Sequence, residues 1–193
     1  MKMEKEFYES GNYFGCLEYI YRFLGDEYEV EKLKALCWLG LARENREGRK
    51  VFLLMAREVL EKILKSDVLD QRIFASSKLI LVLWRLGDIE SLDSLYQEIK
   101  TPDLCSASEI NFARGILALW QGGNQRAIDL SRRIESDMKA EAYELRGDAY
   151  MSQGYRPDAK VEYINAIRYY QYRYRDIERV QKKLFGGDYV CPE

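Results

Sequence analysis

Two apolar-patterned runs joined by a five-residue reversal, between Ala140 and Ile167, restrict what this chain can fold into more than any other stretch. Small residues stand at set places in both runs, Gly147 and Ala149 in the first, Ala159 and Ala166 in the second. They mark points where two helices can cross closely. Between the runs, Gln153-Gly154-Tyr155-Arg156-Pro157 supplies the reversal, Gly being free to take positive φ and Pro being preset for a first helical turn. The stretch therefore reads as a helical hairpin.

The pattern Tyr143, Gly147, Tyr150, Ala159, Tyr163 resembles the tetratricopeptide repeat, a helix–turn–helix unit of an aromatic, Leu-Gly, Tyr, then Ala and an aromatic. Arg146 stands where the family has Leu, and no Pro closes the unit. With Ala159 as a ruler, Ala127, Leu92, Ala56 and Cys16 occupy the matching place in earlier second helices. The steps between them, read from Cys16 onward, are 40, 36, 35 and 32 residues, against a family period of about 34.

Five units follow, over about 3–26, 30–66, 71–101, 106–137 and 139–172. A capping helix over 175–185 (DIERVQKKL within it, amphipathic with a charged outer side) and a short tail over 186–193 complete the chain. The first unit turns at Gly11-Asn12-Tyr13. In the second, Gly40 and Ala56 stand 16 apart where Gly147 and Ala159 stand 12 apart, so helices longer by a turn are expected around residues 44–49. The third turns at Leu86-Gly87-Asp88 and ends at Thr101-Pro102-Asp103. In the fourth, Ser106 or Ser108 is a candidate cap for a helix running to Trp120, and Gly122-Gly123-Asn124 is the turn. The second helix of the fifth is read as running on through RYYQYRYR. The fold class is all-α, a single domain over 1–185. The resemblance implies a right-handed α-solenoid whose inner wall is made by the first helices.

No histidine is present, which removes Ser-His-Asp, Cys-His and most zinc hydrolase arrangements. Carboxylate clusters such as Glu27/Glu29/Glu31 and Glu141/Glu144 read as solvated faces of a chain with 32 acidic residues. No GxxxxGKS/T or GxGxxG stands in the sequence, and no enzyme, cofactor or metal is expected. The net charge of −2 lacks the positive field that nucleic acid or an anionic membrane attracts. The start, MKMEKEFYESG, has no apolar signal core, and a cytoplasmic or nuclear protein is expected. The four cysteines, Cys16, Cys37, Cys105 and Cys191, form no CxxC, and Cys16 and Cys37 read as small buried residues. Arg168 to Arg175 mixes cations with tyrosines. It reads as helix packing with snorkelling arginines, a protein contact or, as an alternative function, RNA binding.

Carried over from the family, the groove-facing positions are Cys37, Leu41 and Glu44, then Phe74, Ser77, Leu81, Trp84 and Arg85. They continue with Phe112, Ile116, Leu119 and Trp120, and with Glu144, Asp148 and Met151. Such a groove is apolar in the middle, with two tryptophans, and acidic at its far end. With a displaced register the same residues are ordinary core. The resemblance implies a protein-binding scaffold that holds an apolar helix or extended segment, with basic residues meeting Glu144 and Asp148, supplied by another protein or by the same chain. A co-chaperone or targeting receptor for client termini is the alternative, although the basic clamp such proteins carry is missing. The layout is similar to tetratricopeptide subunits of the anaphase-promoting complex, a cell-cycle ubiquitin ligase. Some of these pair as homodimers through their first repeats.

Overall fold

The computed structural model describes residues 3–25, 27–45, 47–99, 107–171 and 173–186. Among them every regular element is an α-helix, and they fall into two compact groups, up to Asp88 and from Ile89 on. The expected ends at Thr101-Pro102-Asp103, the Ser106 cap, Cys105 and the tail from Gly187 with Cys191 lie outside the described residues.

The first group holds α1 (Met3–Glu9), α2 (Tyr13–Phe23), α3 (Tyr28–Glu44), α4 (Arg49–Leu64) and α5 (Leu69–Leu86). Within this group each helix packs on the next. Asn12 starts α2 by accepting the Gly15 amide on its side-chain oxygen at 3.0 Å, which satisfies one of the amides a helix start leaves open. Gly87, at φ 72°, closes α5 in a left-handed conformation that costs a glycine little. Three of the four extra residues between Gly40 and Ala56 are taken up as helix, with α3 running to Glu44 and α4 starting at Arg49. Tyr13, Cys16, Leu17, Ile20, Val30, Cys37 and Leu41 make a common core, flanked by Trp38 stacked on Phe52. Not all acids face water: Glu31, exposed in the sequence reading, is buried and paired with Lys34 at 2.8 Å, while Glu27 and Glu29 stay exposed.

The second group holds α6 (Ile89–Ile99), α7 (Ala107–Trp120), α8 (Asn124–Ile134), α9 (Lys139–Ser152), α10 (Arg156–Tyr170) and α11 (Tyr174–Phe185). Successive helices pack on one another, and α7 also touches α9. Pro157 sits in the first turn of α10, as the reversal requires. α10 does not run on through 175: it stops at Tyr170, and Gln171 turns the chain at φ 46°. Ser108 lies inside α7 rather than capping it, and its hydroxyl donates to Asp137. Among the described residues no helix is long and apolar enough to cross a membrane.

Candidate functional site

The α9 helix carries its carboxylates at Glu141, Glu144 and Asp148, steps of three and four that place them on one stripe. Gly147 brings α10 close to that stripe. A Cβ there would lie 2.6 Å from the Tyr163 ring, so only a residue without one lets the ring sit against the helix. Tyr163 and Tyr170, seven residues apart on α10, then point their hydroxyls at the acids. The Tyr163 hydroxyl donates to Asp148 Oδ1 at 2.8 Å and the Tyr170 hydroxyl to Glu144 Oε2 at 2.7 Å.

The α11 helix completes the cluster. Its Val180 is buried against α10 residues, and this seats the basic side of the helix on α9. Arg179 grips Glu144 with both ends of its guanidinium, Nε to Oε1 at 2.9 Å and Nη2 to Oε2 at 2.5 Å, the fork geometry in which arginine surpasses lysine. Lys183, one turn further, donates to Glu144 at 2.8 Å and to Asp148 at 2.6 and 2.8 Å. Arg173 meets Glu141 at 2.6 Å. The charged side of this closing helix was expected outward; Arg179 and Lys183 turn inward because their spacing of four matches that of Glu144 and Asp148. Glu141 and Glu144, read from sequence as a solvated face, are buried.

Burial works against the charge of Glu144, yet Lys183 and Arg179 overcome it and hold the carboxyl at about 2. Asp148 goes the other way: burial and the neighbouring Glu144 raise its pKa against the pull of Lys183. Burial alone would lower the Lys183 ammonium, but the two acids outweigh it and raise it. Each group is engaged by another, an arrangement suited to holding a helix rather than to moving a proton.

The opposite face of α9 explains the departure at Arg146. Its guanidinium lies 2.9 Å from Glu135 and 3.0 Å from Glu162, the second contact an ion pair rather than an aligned hydrogen bond. It also sits 4.8 Å over the Tyr143 ring, which stacks on Tyr169 at 5.4 Å.

Of the groove residues, Glu144, Asp148 and Met151 come together on α9, with Met151 packed on the α9–α10 core. Leu41 is core of the first group, and Phe112 and Ile116 are core of the second. Phe74, Leu81, Trp84 and Arg85 are half-buried along α5, with Lys32 5.4 Å over the Phe74 ring. Leu119 is half-buried and Trp120 is 63% exposed. Sequence reasoning missed Tyr163, Tyr170, Arg179 and Lys183 as partners of the acids. The matching four-residue spacing of the acids and bases was the available signal. Beside the cluster a cleft of about 740 Å³ opens, with Met151, Pro157 and Leu184 on its lining and Arg156 and Lys160 among its cations.

No protein-family model matches this chain, and neither the curated proteins nor the solved structures searched gave a significant match.

Proposed function

We propose that the chain is a non-enzymatic scaffold of tetratricopeptide type, a right-handed solenoid of about five hairpins with a closing helix, that holds a helical or extended protein segment and serves as a subunit of a larger assembly. The supporting observation is the grip of α9 and α10 on α11: acids on α9, steadied by two tyrosine hydroxyls of α10, hold an amphipathic helix through cations four residues apart. A partner helix carrying cations at the same spacing would be held in the same way. Trp120, exposed at the end of α7, is a ready anchor for a further segment.

Light scattering on the purified chain, with Trp84→Ala and Trp120→Ala beside it, tests the reading. A concentration-independent dimer that either substitution breaks makes the further occupant a second copy. A monomer that holds a partner at fixed stoichiometry, and loses it on the same substitutions, makes the occupant foreign. A folded monomer that holds nothing overturns the reading.

A further inference from the structure

The α2–α3 crossing brings two thiols together in a place the scaffold reading does not use. Gly40 lets the Tyr13 ring lie against α3, since a Cβ there would be 2.6 Å from the ring. The helices join through a short turn and run in opposite directions. Three residues forward on α2 and three back on α3 is therefore the next rung, Cys16 opposite Cys37. Both are fully buried in one apolar cluster, near enough for each thiol to shift the ionisation of the other. Cys16 Sγ also donates to the Glu4 carbonyl of α1 at 3.3 Å.

We propose that Cys16 and Cys37 are an oxidisable dithiol that closes to an intramolecular disulfide with hydrogen peroxide as oxidant. Cys16 lies directly under the α1 backbone, so opening of that helix exposes it first and makes it the attacking sulfur. Access comes from α1, whose backbone covers Cys16. The α1 helix has only seven residues, too few to be stable by itself, and it opens locally without unfolding the rest.

The Cys16 thiolate attacks one peroxide oxygen, the O–O bond breaks, and Cys16 becomes a sulfenic acid as hydroxide leaves and takes up the proton that Cys16 had released. The Cys37 sulfur then attacks the Cys16 sulfur. The S–S bond forms, the S–O bond breaks, and the departing hydroxide takes the Cys37 proton. Two thiols lose two electrons in all, and one peroxide is reduced to two waters. The link closes the loop between α2 and α3 and restricts the unfolded chain, so the oxidised protein melts at a higher temperature.

The test uses the full chain with Cys105→Ser and Cys191→Ser, treated with peroxide, quenched, denatured, alkylated and mapped without reductant. The expected product is a Cys16–Cys37 linked peptide that dithiothreitol removes, with an upward shift in Tm. In the same background, Cys37→Ser forms a sulfenic acid at Cys16, read as its dimedone adduct, roughly tenfold faster than Cys16→Ser forms one at Cys37. Full alkylation of both thiols after a dose that oxidises free glutathione completely, or a link between two chains only, overturns the proposal. Since the linked peptide is sought in the protein that retains both cysteines, a folding defect in either single variant leaves the decision intact.

Discussion

The α2–α3 crossing and the α9–α10 crossing use one device, a tyrosine ring laid on a glycine, in opposite surroundings. At Gly40 and at Gly147 a Cβ would come within 2.6 Å of the ring, of Tyr13 in one case and of Tyr163 in the other. The hydroxyls differ. That of Tyr13 accepts from Arg43 at 2.8 Å, and Arg43 is half exposed, with water at hand as a substitute. That of Tyr163 donates to Asp148, which Lys183 of α11 holds in turn. One crossing is packing with a loose polar end, flanked by thiols; the other is fixed into a buried ion cluster. Apolar packing fixes how near two helices come, whereas a chain of directional bonds also fixes which third helix joins them.

The largest contrast is expected on breaking the buried cluster. Glu144→Gln removes the charge of the fully buried carboxylate and leaves Arg179 to Asp176 and Lys183 to Asp148. A loss of about 3–5 kcal/mol in urea unfolding at neutral pH is expected, as for other buried pairs stripped of one partner. Glu31→Gln, in the first group, should cost less. Of its two partners, Lys62 is mostly exposed and returns to water, and Lys34 keeps the face of the Tyr21 ring at 5.2 Å.

Acid separates the same two regions. Glu144 is held at about 2, below the ordinary value of about 4.3 that it regains on unfolding. The unfolded state thus binds the extra proton, and the stabilisation from Glu144 is complete above about pH 4.5 and is lost as pH falls toward 2. Its full size is on the order of 3 kcal/mol. Asp148, with its pKa raised by burial and by Glu144, takes a proton earlier in the native state and offsets the first part of the loss. Urea midpoints followed from pH 7 to pH 3 should fall in the wild type and fall less in Glu144→Gln. An equal slope in both would remove the cluster as the source.

How much of this was legible follows from what each interaction needs. The turns were readable because Gly87, Gly154 and Pro157 fix local backbone geometry by themselves. The close crossing at Gly147 was readable because a glycine within an apolar run has few other reasons to stand there. The stop of α10 at Tyr170 was not, since Gln171 adopts φ 46° without glycine's usual signal. Nor was the inward turn of Arg179 and Lys183. Hydropathy counts every charge as outward, and only pairing α9 with α11 shows that two four-residue spacings coincide. Cys16 and Cys37 read correctly as buried, yet their meeting depends on the register of two helices, which composition does not carry.

Gly147→Ala tests the fixed crossing. The methyl group would push on the Tyr163 ring, which is 1% exposed and tied by its hydroxyl to Asp148, so the ring moves only by disturbing the ion cluster. Overpacking of about 1–3 kcal/mol is expected, reduced by the better helix propensity of alanine, about 1 kcal/mol. The net loss in urea unfolding should be near 1 kcal/mol, with a weaker hold on α11 visible as faster amide exchange there.

Gly40→Ala should have the smallest effect. The same 2.6 Å approach must be relieved, but the Tyr13 ring ends on an arginine in water and can tilt away, taking Arg43 with it. The cost of moving the ring and the gain in helix propensity, about 1 kcal/mol, should nearly cancel and leave a change within about 0.5 kcal/mol. A loss as large as that of Gly147→Ala would mean that the glycine alone, whatever holds the hydroxyl, sets the cost of closing a crossing. The neighbouring rung offers an independent reading of the same displacement. If the tilt is taken up by the ring, Cys16 and Cys37 keep their approach and link under peroxide at the wild-type rate. If the helices themselves separate, the link forms more slowly while stability hardly changes.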